Sequence, residues 1–226
     1  MTTTITVQGT HVAWYDAERA TLEISAAFDG PKRADVFERA TKTAAEVTAA
    51  ITPLHDPAKG PVTWWSSDRV NVWSDRPWSN DGKRLPLVYH AAIGIRAKFS
   101  DFEALGRLVE QLAVMDGVNV GGIAWDLTDE RRKAVTDDVR RRAVEDAVQK
   151  AATYAAAAGV GAPSVIAVAD PGMLGDGTGG GGIGPAPYER MSFKAQAMDA
   201  GGGAPLALSP EQIQVSSSVD VRFTTG

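Results

Sequence analysis

One glycine-rich stretch has the spacing of a nucleotide-binding loop. Residues 175–180 read Gly-Asp-Gly-Thr-Gly-Gly, which fits the pattern G-x-G-x-x-G. Dinucleotide binding needs a strand before such a loop and a helix after it, because the helix N-terminus binds the pyrophosphate. Residues 182–187, Gly-Ile-Gly-Pro-Ala-Pro, are unsuited to begin a helix, and no Gly-Lys-Ser or Gly-Lys-Thr of a P-loop comes after them. We therefore expect a flexible loop here and no cofactor.

The three histidines are the side chains best suited to bind a metal ion. His11, His55 and His90 are widely separated, and none has the short spacing to another histidine that metal motifs use. A site assembled in space from His90 and acidic residues is one interpretation; isolated histidines are the other, which we favour. The chain has no cysteine, which excludes disulfides and thiol catalysis, and no Gly-x-Ser-x-Gly motif indicates a hydrolase. The sequence therefore predicts no metal site, no catalytic residue and no enzyme.

Four tryptophans, Trp64, Trp65, Trp73 and Trp78, lie within fifteen residues on and beside one predicted hairpin. On a strand, the adjacent Trp64 and Trp65 point to opposite faces, so at least one leaves the core of its own subunit. An exposed tryptophan can stack on a sugar, capture an apolar ligand or fill a pocket on a neighbouring subunit. Ordinary packing on two sides is the alternative. Among the functional interpretations we favour a subunit interface, because large aromatic residues dominate such contacts.

These side chains have to be positioned by a scaffold, whose longest predicted element is a helix between Thr128 and Gly159. Thr128 is a suitable N-cap, and Gly159 is suited to end the helix. A helix of this length extends about 45 Å at about 1.5 Å per residue. Apolar residues recur every three or four positions and predict one buried stripe. The stripe comprises Val135, Val139, Ala143, Val144, Ala147, Val148, Ala151, Tyr154, Ala155 and Ala158.

Charged residues on this helix are spaced to pair with one another. Pairs of opposite charge four residues apart are each worth about 0.2–0.5 kcal/mol on an exposed face. The predicted pairs are Asp137–Arg141, Asp138–Arg142 and Asp146–Lys150. The acids also indicate that the three arginines at 140–142 form a solvated face rather than a phosphate site. Because the net charge is −5, we expect neither a nucleic-acid partner nor an anionic membrane surface as partner.

The hydrophobic periodicity predicts seven strands and three helices in the order ββαββ-αβαββ. The fold class is α+β, with mixed or antiparallel sheets backed by long helices. We expect a single domain over residues 1–226 with two lobes, about 1–99 and 100–226, and a mobile Gly/Pro-rich excursion at 170–211. The predicted strands span residues 5–9, 22–28, 62–74, 87–99, 118–127, 164–169 and 213–223.

Local signals predict how several of these elements end or bend. Gly9 is expected to end the first strand. Ser100, followed by Glu103, forms a capping box with Ser100 as the N-cap of a helix. The pair Gly121-Gly122 indicates a β-bulge or a close backbone contact. The strands on either side of residues 75–86 are predicted to form the hairpin that carries the tryptophans.

Three stretches, taken in order, resemble the SIMPL-domain family of bacterial proteins. They are residues 5–9 with the strand and alanine-rich helix that follow, residues 121–127 (Gly-Gly-Ile-Ala-Trp-Asp-Leu) leading into the long helix, and residues 213–223. Any one of them is weak, while the ordered set covers nearly the whole chain. The resemblance implies no shared catalytic residue. It implies a family in which many members look periplasmic or surface-associated, some are similar to ring- or channel-like oligomers, and some are loosely linked to oxidative-stress tolerance.

The tryptophans and the resemblance together lead to two hypotheses. The first is a non-enzymatic protein that assembles with copies of itself, and the second is a binding module that holds a glycan or an apolar small ligand on the hairpin. The sequence starts without a signal-peptide pattern, and no run is apolar enough to span a bilayer. We therefore expect a cytoplasmic protein as the sequence stands, or a periplasmic or exported one if a signal peptide was removed.

Overall fold

The computed structural model describes residues 2–78, 84–174 and 208–226. The predicted order ββαββ-αβαββ and the α+β class are confirmed. The glycine-rich loop at 175–180 and most of the expected excursion at 170–211 lie outside the described residues. In chain order the elements are β1 Thr3–Tyr15, β2 Arg19–Gly30, α1 Arg33–Ile51, β3 Val62–Asp75, β4 Val88–Phe99, α2 Phe102–Ala113, β5 Val118–Asp126, α3 Asp129–Ala158, β6 Pro163–Ala169 and β7 Ile213–Thr225.

Strands β2 to β5 form an antiparallel sheet in the order β3-β4-β2-β5, and helices α1 and α2 pack on one of its faces. The alternation of side chains selects that face. In β2, Leu22 and Ile24 are buried in the core, whereas Glu23 between them is exposed on the opposite face. The predicted hairpin of β3 and β4 is confirmed by their antiparallel pairing from Val62 to Asp75, with register shifts between Val62 and Trp64 and between Ser67 and Arg69.

Gly121 and Gly122 form the predicted bulge in β5. The register with β2 shifts between the partners of Leu22 and Ile24, so both glycines lie opposite Glu23. A Cβ atom on Gly121 would lie 3.0 Å from the carbonyl oxygen of Glu23. The bulge therefore brings the two backbones close together, and this prediction is confirmed.

Helix α3 packs against β1 and β7 of the other sheet, which is antiparallel with the order β1-β7-β6. Its limits are as predicted, with the Thr128 hydroxyl accepting a hydrogen bond at the N-terminus and Gly159 at φ 66° after the last turn. Among the described residues, none of the helices combines the length and the apolar character that crossing a bilayer requires. Val148, Tyr154 and Ala158 are exposed, contrary to the prediction, because only every fourth residue of α3 is buried. The buried residues are Val135, Val139, Ala143, Ala147, Ala151 and Ala155.

Gly9 does not end β1, and that prediction is wrong. The strand continues to Tyr15 and pairs with β7 along its whole length. A Cβ atom on Gly9 would lie 2.0 Å from the carbonyl oxygen of Ala143 and 2.8 Å from the Cβ atom of Ala147. Glycine is therefore required here because α3 lies directly on the strand.

Asp101, and not Ser100, is the N-cap of α2. Its carboxylate accepts hydrogen bonds from the backbone N–H groups of Glu103 and Ala104 at 2.9 and 3.0 Å. The Ser100 hydroxyl instead donates to the carbonyl oxygen of Gly60 at 2.9 Å. The charged cap binds the N–H group of Glu103, which the predicted serine would have bound, and that of Ala104 as well. Its negative charge also favours the positive end of the helix dipole.

The charged face of α3 forms most of its predicted pairs. Two of them are present, Asp138–Arg142 at 2.9 Å and Asp146–Lys150 at 2.7 Å. The third is not present, because Arg141 lies between Asp138 and Glu145. Asp137 contacts Arg140 at 3.7 Å instead.

The chain divides into two compact units, one for each sheet. Strands β1, β6 and β7 with α3 form one unit, and β2 to β5 with α1 and α2 form the other. This division differs from the expected lobes of about 1–99 and 100–226. The reason is long-range pairing, because β1 pairs with the last strand and β5 pairs with β2.

Candidate interface and ligand surface

The four tryptophans occupy both faces of β3 and the loop that follows it. Trp64 and Trp65 point to opposite faces, as predicted. Trp65 packs against the core, whereas Trp64 is 42% exposed and Trp73 is 49% exposed. Trp78, beyond the end of β3, is 83% exposed. The candidate surface therefore consists of three of the four tryptophans, without Trp65.

The register of the hairpin places five residue pairs in line on the sheet face opposite the helices. Aromatic rings lie at both ends, and polar or small residues lie between them. The pairs are Trp73–His90, Asn71–Ala92, Arg69–Gly94, Ser66–Arg96 and Trp64–Lys98. From His90 to Lys98 the line is about 27 Å long at about 3.4 Å per residue. We call this line the hairpin track.

A tryptophan that contacts a neighbouring side chain lies at each end of the hairpin track. The ring of Trp73 stacks on the imidazole of His90, with the centroids 5.0 Å apart and the planes 11° apart. At the other end, the guanidinium of Arg96 lies over the ring of Trp64, 5.7 Å from its centroid. These contacts hold both indoles in defined orientations at the surface.

His90 contacts a carboxylate, which a metal site assembled from His90 and acidic residues would require. The Nε2 atom of His90 lies 2.5 Å from the Asp75 carboxylate. A protein metal site needs at least one further ligand, and the described parts of the chain contain no group of three His, Asp or Glu side chains suited to hold an ion. The absence of a metal site and of catalytic residues stays a prediction.

A groove of about 240 Å³ crosses the sheet at the middle of the hairpin track. Small residues form its floor, chiefly Ala92 and Gly94 of β4 and Ser25 of β2. The registers align Arg69, Gly94, Ser25 and Asn119 in one row across all four strands. The polar side chains around this floor are Glu23, Arg69, Asn71, Arg96 and Asn119. We call this cavity the sheet groove.

The two outer strands of the three-stranded sheet differ in how their edges are protected. At β1 the Asp146 carboxylate accepts a hydrogen bond from the N–H of Thr10 at 2.8 Å, and the Lys150 ammonium donates to the carbonyl oxygen of Gln8 at 3.0 Å. Lys150, and then the Thr10 amide, lower the pKa of Asp146 below its ordinary value. Strand β6 has no charged residue and exposes three apolar side chains, Val165, Ile166 and Val168.

Sequence reasoning found the hairpin aromatics but missed Trp14 and the sheet groove. Trp14 is 58% exposed near the end of β1. Trp14 alternates with the partly buried Ala13 and Tyr15, which is the pattern of a strand. The predicted end of this strand at Gly9 left Trp14 out of the candidate surface. The groove residues come from four strands, whose order in the sheet no local pattern reveals.

The chain matches the SIMPL family, described as a protein of unknown function (DUF541), over residues 5–223. No curated protein matches the chain. The matched span includes all three stretches on which the resemblance was based, together with the hairpin and the long helix.

Proposed function

The chain belongs to the SIMPL family of proteins of unknown function, and on that premise we propose that it is a non-enzymatic protein that assembles with copies of itself. The family is described only as one of unknown function, so the proposal rests on the surface of this chain. Support comes from apolar side chains that the described parts of each unit leave uncovered.

The observation that carries the proposal is the apolar surface of β3, one of the two outer strands of the four-stranded sheet in the described chain. On the face of the hairpin track, Trp64 and Trp73 are 42% and 49% exposed. Val70, on the opposite face of the strand, is 59% exposed. Long outer strands with large apolar side chains are prone to associate with another chain. Tryptophans in such contacts contribute a large share of the binding energy. A second copy of the chain would remove this surface from water.

The edges of the three-stranded sheet support the same proposal. Asp146 and Lys150 bind backbone groups of β1, which obstructs that edge for another strand. Strand β6 has neither charge nor proline within its span after Pro163 and exposes Val165 and Val168. In the described chain, the sheet is therefore open to extension at β6 and obstructed at β1.

Light scattering on a sizing column tests the assembly. We expect the wild-type chain to elute as an oligomer at micromolar concentration and Trp73→Ala to lower the native mass, because the truncation removes a large part of the contact. Trp14→Ala is the matched control, since Trp14 is similarly exposed but lies on the other sheet. A monodisperse wild-type monomer contradicts the proposal, and so does a mass that Trp14→Ala lowers and Trp73→Ala does not.

A binding module for a glycan or an apolar small ligand is the second candidate function. The hairpin track favours it, because the Trp73–His90 stack lies in line with polar side chains on one face. The same variant separates the two candidates. If the track binds a ligand and is not a subunit contact, Trp73→Ala leaves the native mass unchanged and removes a ligand-induced change in tryptophan fluorescence.

A further inference from the structure

The sheet groove contains several polar side chains without a hydrogen-bond partner among the described residues. They come from β2, β3 and β5 and surround the same small floor. They are Glu23, Ser25, Arg69, Asn71 and Asn119. Solvent satisfies such groups when they stand singly on a sheet face. Here they line one cavity, where a ligand with matching donors and acceptors can replace several waters at once.

Gly94 lets the side chain of Arg69 lie close to the floor of the sheet groove. A Cβ atom on Gly94 would lie 3.2 Å from the Cβ atom of Arg69, and 3.7 and 3.9 Å from its Cδ and Cγ atoms. The aliphatic part of Arg69 therefore lies across the glycine, and Arg69 is one of the residues that line the groove. A side chain at position 94 would displace Arg69 from this place.

The charges of the groove select a ligand with a single negative charge. Glu23 lies opposite Arg96 in the register of β2 and β4, so these two charges offset each other, and Arg69 brings the remaining positive charge. A planar guanidinium binds a carboxylate through two parallel hydrogen bonds. Glu23 opposes a phosphate monoester, which carries close to two negative charges at neutral pH. A neutral ligand would leave the Arg69 guanidinium without its anionic partner.

The remaining groups suit hydroxyls on a small ring. The amides of Asn71 and Asn119 both donate and accept hydrogen bonds, and the Glu23 carboxylate accepts them. Trp73 lies one pair beyond Asn71 on the hairpin track and offers an aromatic face next to the groove. The volume of about 240 Å³ is below the roughly 300–1,000 Å³ of pockets for drug-sized ligands, so the ligand has the size of one sugar ring.

We propose that the sheet groove binds a uronic acid, that is, a monosaccharide that carries one carboxylate. Arg69 pairs with the carboxylate, the side chains of Asn71, Asn119 and Glu23 bind hydroxyls, and the ring lies toward Trp73. The proposal rests on the second candidate function and names the ligand class for it. It involves binding alone and no chemical step.

Calorimetric titration of the full chain with D-galacturonate and with D-galactose tests the ligand class. The two probes differ in the carboxylate that Arg69 recognises. We expect galacturonate to bind with a dissociation constant of about 1 mM or tighter and galactose to bind at least about tenfold more weakly. Equal affinity for both probes overturns the carboxylate assignment. The absence of any galacturonate binding up to about 10 mM overturns the proposal as a whole.

Two variants test the location of the site. Arg69→Gln removes the guanidinium, and Gly94→Val displaces the Arg69 side chain; each is expected to weaken galacturonate binding at least about tenfold. Arg33→Gln, an exposed arginine at the start of α1, is the control and should bind as the wild type does. Circular dichroism shows whether each variant is folded. A folded Arg69→Gln chain that binds galacturonate like the wild type places the ligand elsewhere and overturns the proposal.

The native mass separates this proposal from self-assembly. Arg69→Gln is expected to leave the mass unchanged while binding is lost. If the wild type is a monomer and still binds galacturonate, only the assembly proposal fails. If it is an oligomer that does not bind galacturonate, only the groove proposal fails.

Discussion

Glycine positions show at the scale of single residues how one residue type serves different purposes. Gly9 lies under α3, where a Cβ atom would overlap the carbonyl oxygen of Ala143. Gly122, in the bulge of β5, has no atom within 4 Å of such a Cβ position. The two residues look alike in the sequence, because each interrupts an apolar strand pattern. Their neighbours in space decide which of them tolerates a side chain.

We predict that Gly9→Ala destabilises the protein by about 1–3 kcal/mol or more, since the methyl group forces α3 away from β1. Gly122→Ala is the matched control and should change the free energy of unfolding by less than about 0.5 kcal/mol. Chemical denaturation of both variants measures the difference. Equal stability of the two variants would show that α3 moves away from the strand without cost.

At the scale of secondary-structure elements, helix α3 shows which features its own sequence predicts and which it does not. Its limits follow from Thr128 and Gly159, which cap the helix through their own backbone and side-chain geometry. The buried stripe was predicted too wide, because Val148 and Tyr154 extend beyond the two strands that α3 covers. The role of Asp146 as a cap for the edge of β1 was not predictable from its spacing to Lys150 alone.

The edge cap makes a pH-dependent contribution to stability. The pKa of Asp146 is lowered in the folded chain, first by Lys150 and then by the Thr10 amide, from an ordinary value of 3.8. A lowered folded pKa means that the stabilisation is present above the ordinary value and is lost as the pH falls through the folded value. We expect Asp146→Asn to cost about 0.5–1 kcal/mol at neutral pH, because both partners are partly solvated.

Urea denaturation of the wild type and Asp146→Asn across this pH range measures that contribution. The difference between them should stay constant from neutral pH to about pH 5 and shrink below about pH 4. Asp137→Asn is the control, because Asp137 contacts only Arg140 at 3.7 Å on the same helix. A difference that does not change with pH would contradict the assigned role of the ionised carboxylate.

At the scale of the whole molecule, the described chain exposes an apolar surface on each of its two sheets. One surface is on β3 and the other is on β6. When one surface binds a different surface of the next copy, the assembly is a ring or a filament, whereas one self-complementary surface alone forms a closed dimer. The number of surfaces in use therefore determines the kind of assembly. Single substitutions, made separately on each sheet, show which of the two surfaces take part in the assembly.

We predict that Val168→Lys lowers the native mass of the assembly, because a charge on an outer strand opposes pairing with another chain. Gln214→Lys on β7 is the control, since that side chain is already polar and exposed. Sizing with light scattering at equal protein concentration gives the readout. An unchanged mass for Val168→Lys removes β6 from the assembly and leaves the hairpin as the sole proposed contact.

The sequence by itself determined the order of the elements, the limits of α3, the hairpin and the bulge at Gly121-Gly122, because periodicity, caps and turns depend on neighbours along the chain. Only the tertiary structure decided that β1 pairs with β7, that α3 lies on Gly9, and that Arg69, Gly94, Ser25 and Asn119 share one row. Strand order and register arise from the joint burial of distant segments, and no local pattern encodes which distant segment that is.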